Sequence, residues 1–231
     1  MEALLLIKMI NFFSTYFGLS HLIILFFLFL LLIVISNKKK LINLKKIILF
    51  LCFIDLLSYY TYIFLFQIEN LIHLLPIHLC FLTEIMILAK IGFNVKIDIN
   101  LIFLNSIVGS IAGLVNNNLT NDAHNIFFIH HYLAHFILAL FVIEYYERIC
   151  LNIKALVSSI VKTALLLIFV ILFNNLFGTN YWFTVEKPNG SNLTLLFPES
   201  PWHLYILVVL GLLIYLSTYG IYKYNHGFGK K

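Results

Sequence analysis

Seven stretches of roughly twenty mostly apolar residues, each about the length that crosses a bilayer as a helix, follow one another along this chain. They are Gly18–Ile35, Ile47–Phe66, Leu71–Ile91, Ile99–Val115, Ile126–Ile143, Leu156–Phe177 and Trp202–Tyr222. In lipid every backbone N–H and C=O must find a partner within the chain, so each run is expected to be a helix. Composition agrees. Of 231 residues 62% are hydrophobic and only 11% charged, with a mean hydropathy of +0.99. Soluble domains carry about 25% charged residues, and this chain has too little polar material to cover a soluble surface. A soluble enzyme, a nucleic-acid-binding domain and a disordered tail are thereby excluded. The expected fold is an all-α bundle of seven transmembrane helices, residues 1–231 forming one polytopic domain without repeats.

Charge sets the expected orientation. The segments after spans 1, 3 and 5 and the C-terminus hold Lys38–Lys40, Lys45, Lys46, Lys90, Lys96, Arg148, Lys154, Lys162, Lys223, Lys230 and Lys231, which leaves only Lys8 and Lys187 for the other side. Basic segments stay cytoplasmic. The N-terminus is therefore expected outside, the C-terminus in the cytoplasm, and the protein in the cell membrane as a multi-pass chain. No cleavable signal precedes the first run, which reads as a permanent span. Met1–Phe13, apolar around Lys8 and Asn11, is expected to lie along the interface. Cys52, Cys80 and Cys150 are an odd number without a CxxC, so neither a disulfide framework nor a zinc site of that type is expected.

The polar residues inside the runs gather toward the outer side. Cys80 and His135 each fall about nine residues past the start of an inward-running span, about 13 Å deep at 1.5 Å per residue. Asn105, Ser106, Asn174 and Asn175 lie near that level, Asp55 near mid-membrane, and Glu84 a turn below Cys80. Ionisable groups at such depth are costly and commonly functional. A thiol becomes a nucleophile when a neighbouring imidazole takes its proton. On a continuous helix His78 and Cys80 point about 200° apart, which favours His135 as the base. His131, four residues from His135, shares its face and would orient it or bind a head group. His78, Asn105 and Asn175 are candidate donors to an oxyanion. The plainer alternative makes Cys80 a packing residue and leaves Asp55 and Glu84 neutral and hydrogen-bonded.

His131 and His135, with Asp55 or Glu84, have a spacing that suits a metal, but no Glu stands between them as in HExxH. No metal and no cofactor is expected. Pro76 is positioned to kink span 3 and open its end around His78. The Asn-rich run from Asn116 to Asn125 reads as a turn or a head-group rim. The aromatic loop from Asn180 to Trp202 reads as interface anchors or as a lid.

Three segments carry a family resemblance. Leu75-Pro76-Ile77-His78-Leu79-Cys80 resembles the P-x-H-x-C segment of small bacterial multi-span proteins of the YwaF type. Phe127-Phe128-Ile129-His130-His131-Tyr132-Leu133-Ala134-His135 resembles their aromatic run ending in Ser-His or Ala-His. Asn180-Tyr181, Lys187-Pro188 and Pro201-Trp202 follow the order of their final loop. The similarity covers about residues 50–222. That family resembles the eukaryotic TMEM164 proteins, described as acyltransferases that move a fatty acyl group between phospholipids through a cysteine and a histidine. The resemblance implies acyl transfer in the outer half of the bilayer, with Cys80 as nucleophile and His135 as base. Membrane lipids and a lipid or lipoprotein acceptor would be the partners, and no nucleic acid. One departure stands out: the eukaryotic cysteine directly precedes the histidine, where this chain has Ile77, and Cys80 comes two residues after His78. Two other classes stay open. One is a transporter or channel for a small polar solute or proton, lined by Asp55, Glu84 and the histidines. The other is a membrane scaffold without chemistry.

Overall fold

A computed structural model of the chain describes residues 19–38, 43–66, 71–116, 125–188 and 193–227. These residues form seven α-helices and no strand: α1 (Leu19–Lys38), α2 (Leu44–Phe66), α3 (Leu79–Gly92), α4 (Ile99–Val115), α5 (Asn125–Tyr145), α6 (Ile153–Phe177) and α7 (Trp202–Gly227). Short 3-10 turns occur at Leu71–His73, Tyr181–Phe183 and Leu193–Leu196. Each apolar run therefore contains a helix. Four of them, Leu44–Phe66, Asn125–Tyr145, Ile153–Phe177 and Trp202–His226, are long and apolar enough to cross a membrane. The expected interfacial segment Met1–Phe13 lies outside the described residues.

Local chemistry sets several helix ends. The Asp98 carboxylate accepts from the Asn100 N–H at 3.0 Å and starts α4. The Asn152 side chain accepts from the Ala155 N–H at 2.9 Å and starts α6. Both satisfy a backbone donor that the first helical turn cannot. Gly178 ends α6 with φ 66°, a conformation that glycine adopts without a Cβ clash.

The one substantial revision concerns the third run. Its expected span began at Leu71, but the helix begins only at Leu79. Proline lacks an N–H and restricts the residue before it, so the backbone around Pro76 turns rather than continues. What remains of the run as helix is about 21 Å long at 1.5 Å per residue, short of the roughly 30 Å hydrocarbon core.

Helices α4 and α5 pack most extensively against each other and occupy the centre. On the face of α4 that meets α5 stand Gly109 and Gly113. A Cβ at Gly109 would sit 2.7 Å from Leu138 Cδ1, and one at Gly113 would overlap the His135 ring. The absence of side chains there is what lets the two helices close. The distribution of polarity is inverted relative to a soluble protein. Buried positions include Asp55, Glu84, Asn105, His130, His131, His135 and Asn174, while Phe26, Phe50, Phe64, Phe169, Leu176 and Leu213 are exposed. Apolar side chains outside and polar ones inside are the arrangement a lipid solvent imposes.

Candidate active site

The break before α3 creates the site. His78 caps α3 with extended backbone (φ −57°, ψ 145°), and Cys80 lies in the first helical turn, half-buried. The first-turn N–H groups of a helix have no intrahelical partner and favour negative charge. Because His78 precedes the helix, the 200° separation expected on a continuous span does not apply. Both side chains line one cavity of about 330 Å³, together with His130, His131 and His135 of α5 and Gly113 of α4.

Hydrogen bonds settle the imidazole tautomers. His135 Nδ1 is 2.5 Å from the His131 carbonyl oxygen. A carbonyl only accepts, so Nδ1 carries the proton, and in the neutral ring Nε2 keeps its lone pair. His131 Nε2 likewise donates to the Gly113 carbonyl at 3.0 Å, and the two rings lie 4.6 Å apart. His78 is the converse. The Trp182 N–H donates to its Nδ1 over a long 3.4 Å, so its proton sits on Nε2. The cavity thus holds a thiol, an imidazole able to accept a proton and an imidazole able to donate one.

The loop after α6 closes the site. Trp182 and Phe183 form part of the cavity wall, and both have positive φ (56° and 53°). Such backbone costs about 1–3 kcal/mol per residue and persists only where surroundings enforce it. The enforcement is visible. Asn174 donates to the Tyr181 carbonyl at 2.8 Å and to Thr184 Oγ1 at 2.6 Å, and accepts from Thr179 Oγ1 at 2.6 Å and the Tyr181 N–H at 3.0 Å. Trp182 Nε1 donates to the Ile77 carbonyl at 2.7 Å, and Tyr181 Oη to the Ile72 carbonyl at 2.8 Å. Burial pushes the Tyr181 phenol up to about 12, which keeps it a donor. His203 Nε2 donates to the Phe183 carbonyl at 2.8 Å. The loop is a cover fastened to the irregular segment before α3.

A second polar group meets the cavity at His130. His130 Nδ1 is 2.7 Å from Asp55 Oδ2, and its ring stacks on Phe81 at 4.1 Å and tilts against Tyr59 at 4.4 Å. Ligand atoms of Asp55, Glu84 and His130 all lie within 4.8 Å of one another, and all three residues are buried.

Comparison with known families decides the membership. The TMEM164 family profile matches residues 13–219. The chain belongs to the TMEM164 family. Searches of curated proteins and of solved structures give no significant match. Family membership and the long apolar helices together mark a membrane protein.

For this TMEM164 member, six of the eight site residues expected from the sequence fall into two sets. Cys80, His78, His131 and His135 share the cavity. Asp55 and Glu84 meet each other, but their histidine is His130 rather than the expected His131 or His135. Asn105 is not in the cavity wall. Its Oδ1 accepts from Thr163 Oγ1 at 3.1 Å and from the Tyr215 hydroxyl, tying α4 to α6 and α7. Asn175 is exposed on α6; the inward residue of the pair is Asn174, whose amide is committed to the loop. The Asn-rich turn expected from Asn116 lies mostly outside the described residues, though Asn116 itself lines the cavity and accepts from the Leu193 N–H at 2.6 Å. Residues not singled out from sequence are Gly113, His130 and Trp182. Repetition of histidine at 130, 131 and 135 was the available signal for His130. For Trp182 it was the aromatic loop as a whole.

Proposed function

We propose that the chain is a seven-span acyltransferase of the cell membrane, with its N-terminus outside and C-terminus cytoplasmic. It moves a fatty acyl chain from a phospholipid to a lipid or lipoprotein acceptor in the outer half of the bilayer. The observation that carries this reading is one cavity walled by the Cys80 thiol in the first turn of α3 and by the His135 imidazole with Nε2 unprotonated. His135 Nε2 takes the Cys80 proton, and the thiolate attacks the ester carbonyl carbon. His78 Nε2–H and the first-turn N–H groups of α3 donate to the developing oxyanion. The carbon–oxygen bond breaks, the lysophospholipid oxygen leaves with the proton from His135, and the acyl group remains as a Cys80 thioester. An acceptor hydroxyl or amine then gives its proton to His135, attacks the thioester and restores the thiol.

Two features support a lipid substrate. An apolar cavity of about 260 Å³ between α4, α6 and α7 shares Leu79, Val108, Trp182 and Leu207 with the polar cavity, which offers an acyl chain a place beside the thiol. The Trp182 cover limits water, which favours transfer over hydrolysis. Orientation is supported by the number of basic residues at the opposite end of the bundle, Lys96, Arg148, Lys154 and Lys162 among them, against Lys187 in the cover loop. Labelled phospholipid turnover by the purified protein in vesicles tests the reading. Loss of proton transfer in His135→Ala is expected to slow transfer by about 10²–10⁴-fold, and Cys80→Ala to abolish the thioester. Full turnover in Cys80→Ala would remove the covalent mechanism.

A further inference from the structure

We propose that Asp55, Glu84 and His130 form a binding site for a divalent transition-metal ion of the zinc class. The donors come from three helices, α2, α3 and α5, and converge to within 4.8 Å. Asp55 is 1% and Glu84 0% exposed, and no lysine or arginine is buried among the described residues. Among the described residues no donor group reaches either Glu84 carboxylate oxygen, and both are buried beside the Asp55 carboxyl. An ionised carboxylate at such depth without a partner is among the costliest arrangements a fold can hold. Beside a second carboxylate the cost rises, because like charges in low dielectric oppose one another. A doubly charged cation removes both penalties at once: two carboxylates and one ion sum to zero charge.

The donor chemistry fits. Two carboxylates and one imidazole are ligands that Zn²⁺ and its neighbours accept, with bonds of about 2.0–2.2 Å and a further position for water. Neighbouring ligand atoms of a tetrahedral ion stand about 3.3 Å apart, so donors now within 4.8 Å of one another close by at most about 1.5 Å, while the 2.7 Å pair of His130 and Asp55 opens slightly. The imidazole is pre-oriented, its ring held between Phe81 and Tyr59. The 2.7 Å contact between His130 Nδ1 and Asp55 Oδ2 brings two of the donors together already. The site uses neither the thiol nor its base, although His130 also borders their cavity, and binding does not depend on acyl transfer.

The experiment uses the purified full-length chain in detergent, stripped with a chelator and titrated with Zn²⁺ against a chromophoric indicator, then with Co²⁺ for its visible absorption. A single tight site is expected, retained in Cys80→Ala and weakened at least about tenfold in Asp55→Asn and in Glu84→Gln, the least that even supporting residues of metal sites typically contribute. Thermal unfolding of the unsubstituted protein provides an arm that needs no variant, since an ion bound only by the folded chain raises Tm with its concentration. Absence of any Zn²⁺-dependent Tm rise overturns the proposal. So does unchanged Zn²⁺ affinity in Glu84→Gln. So does an infrared carboxylic-acid band that persists in saturating Zn²⁺ and vanishes in Glu84→Gln, which would identify a shared proton as the occupant instead.

Discussion

At the scale of single residues, the site depends on one missing side chain. Gly113 gives its carbonyl to His131, and His131 gives its own carbonyl to His135. The His135 ring fills the space that a Cβ on Gly113 would need, and the nearest atoms are ring atoms of a buried residue with little freedom to withdraw. Gly113→Ala is therefore expected to cost about 1–3 kcal/mol of stability through overpacking, and to displace the His135 ring within the cavity it shares with Cys80. Unfolding in detergent measures the first effect and lipid turnover the second. Activity should fall much further than stability, since a base displaced by about an ångström loses on the order of 10²-fold. Unchanged turnover with an unchanged Tm would show that the ring moves freely. The same scale marks where sequence reading ends. Asn174 and Asn175 are neighbours with the same chemistry, and only the rotation of α6 assigns one to the loop and the other to the exterior. Of three nearby histidines, the two spaced for a shared face were the natural partners for a carboxylate, yet His130 holds that place because its side of α5 meets α2 and α3.

At the scale of elements, the informative feature is a helix that starts late. Hydropathy treats Leu71–Ile91 as one run because apolar side chains report burial in lipid or protein, not backbone conformation. Pro76 marked the irregularity, and the aromatic loop beyond α6 supplies the partners that an interrupted backbone requires inside a bundle. Ile72 and Ile77 give their carbonyls to Tyr181 and Trp182, so the break and the cover stabilise each other. Ile77, one residue before the cap, is not in the wall of the cavity that His78 and Cys80 line. Asn174 fastens the cover to the end of α6. Asn174→Ala leaves the Tyr181 N–H and the Thr179 hydroxyl without their acceptor, at about 1–3 kcal/mol for each group that stays buried. Release of the positive-φ backbone at Trp182 and Phe183 offsets part of that cost. The expected outcome is a modest fall in Tm with a large rise in hydrolysis relative to transfer, because a loosened cover admits water. Product analysis by mass spectrometry distinguishes the two, and an unaltered product ratio would mean that the loop does not control water access.

At the scale of the whole molecule, each of the seven apolar runs holds one helix among the described residues, in the expected order, because lipid leaves a chain few alternatives. The site was less legible, since depth along a helix follows from counting but azimuth follows from packing. What the basic residues do predict is sidedness. If the basic segments are cytoplasmic, the exposed Cys150 between α5 and α6 faces the cytoplasm, while the cover loop faces outward. A membrane-impermeant maleimide applied to intact cells is then expected to leave Cys150 unlabelled and to label it after permeabilisation. Glu186→Cys, at an exposed position of the loop, should label without permeabilisation when Cys150 is replaced by Ser. The native cysteines make adequate controls, because Cys52 is buried in the core and Cys80 is half-buried in the cavity wall. The reverse pattern would place the thiol and its histidines near the cytoplasmic leaflet. The chemistry would then draw on cytoplasmic lipid and acceptor pools, and a lipoprotein acceptor, which lies outside, would be ruled out.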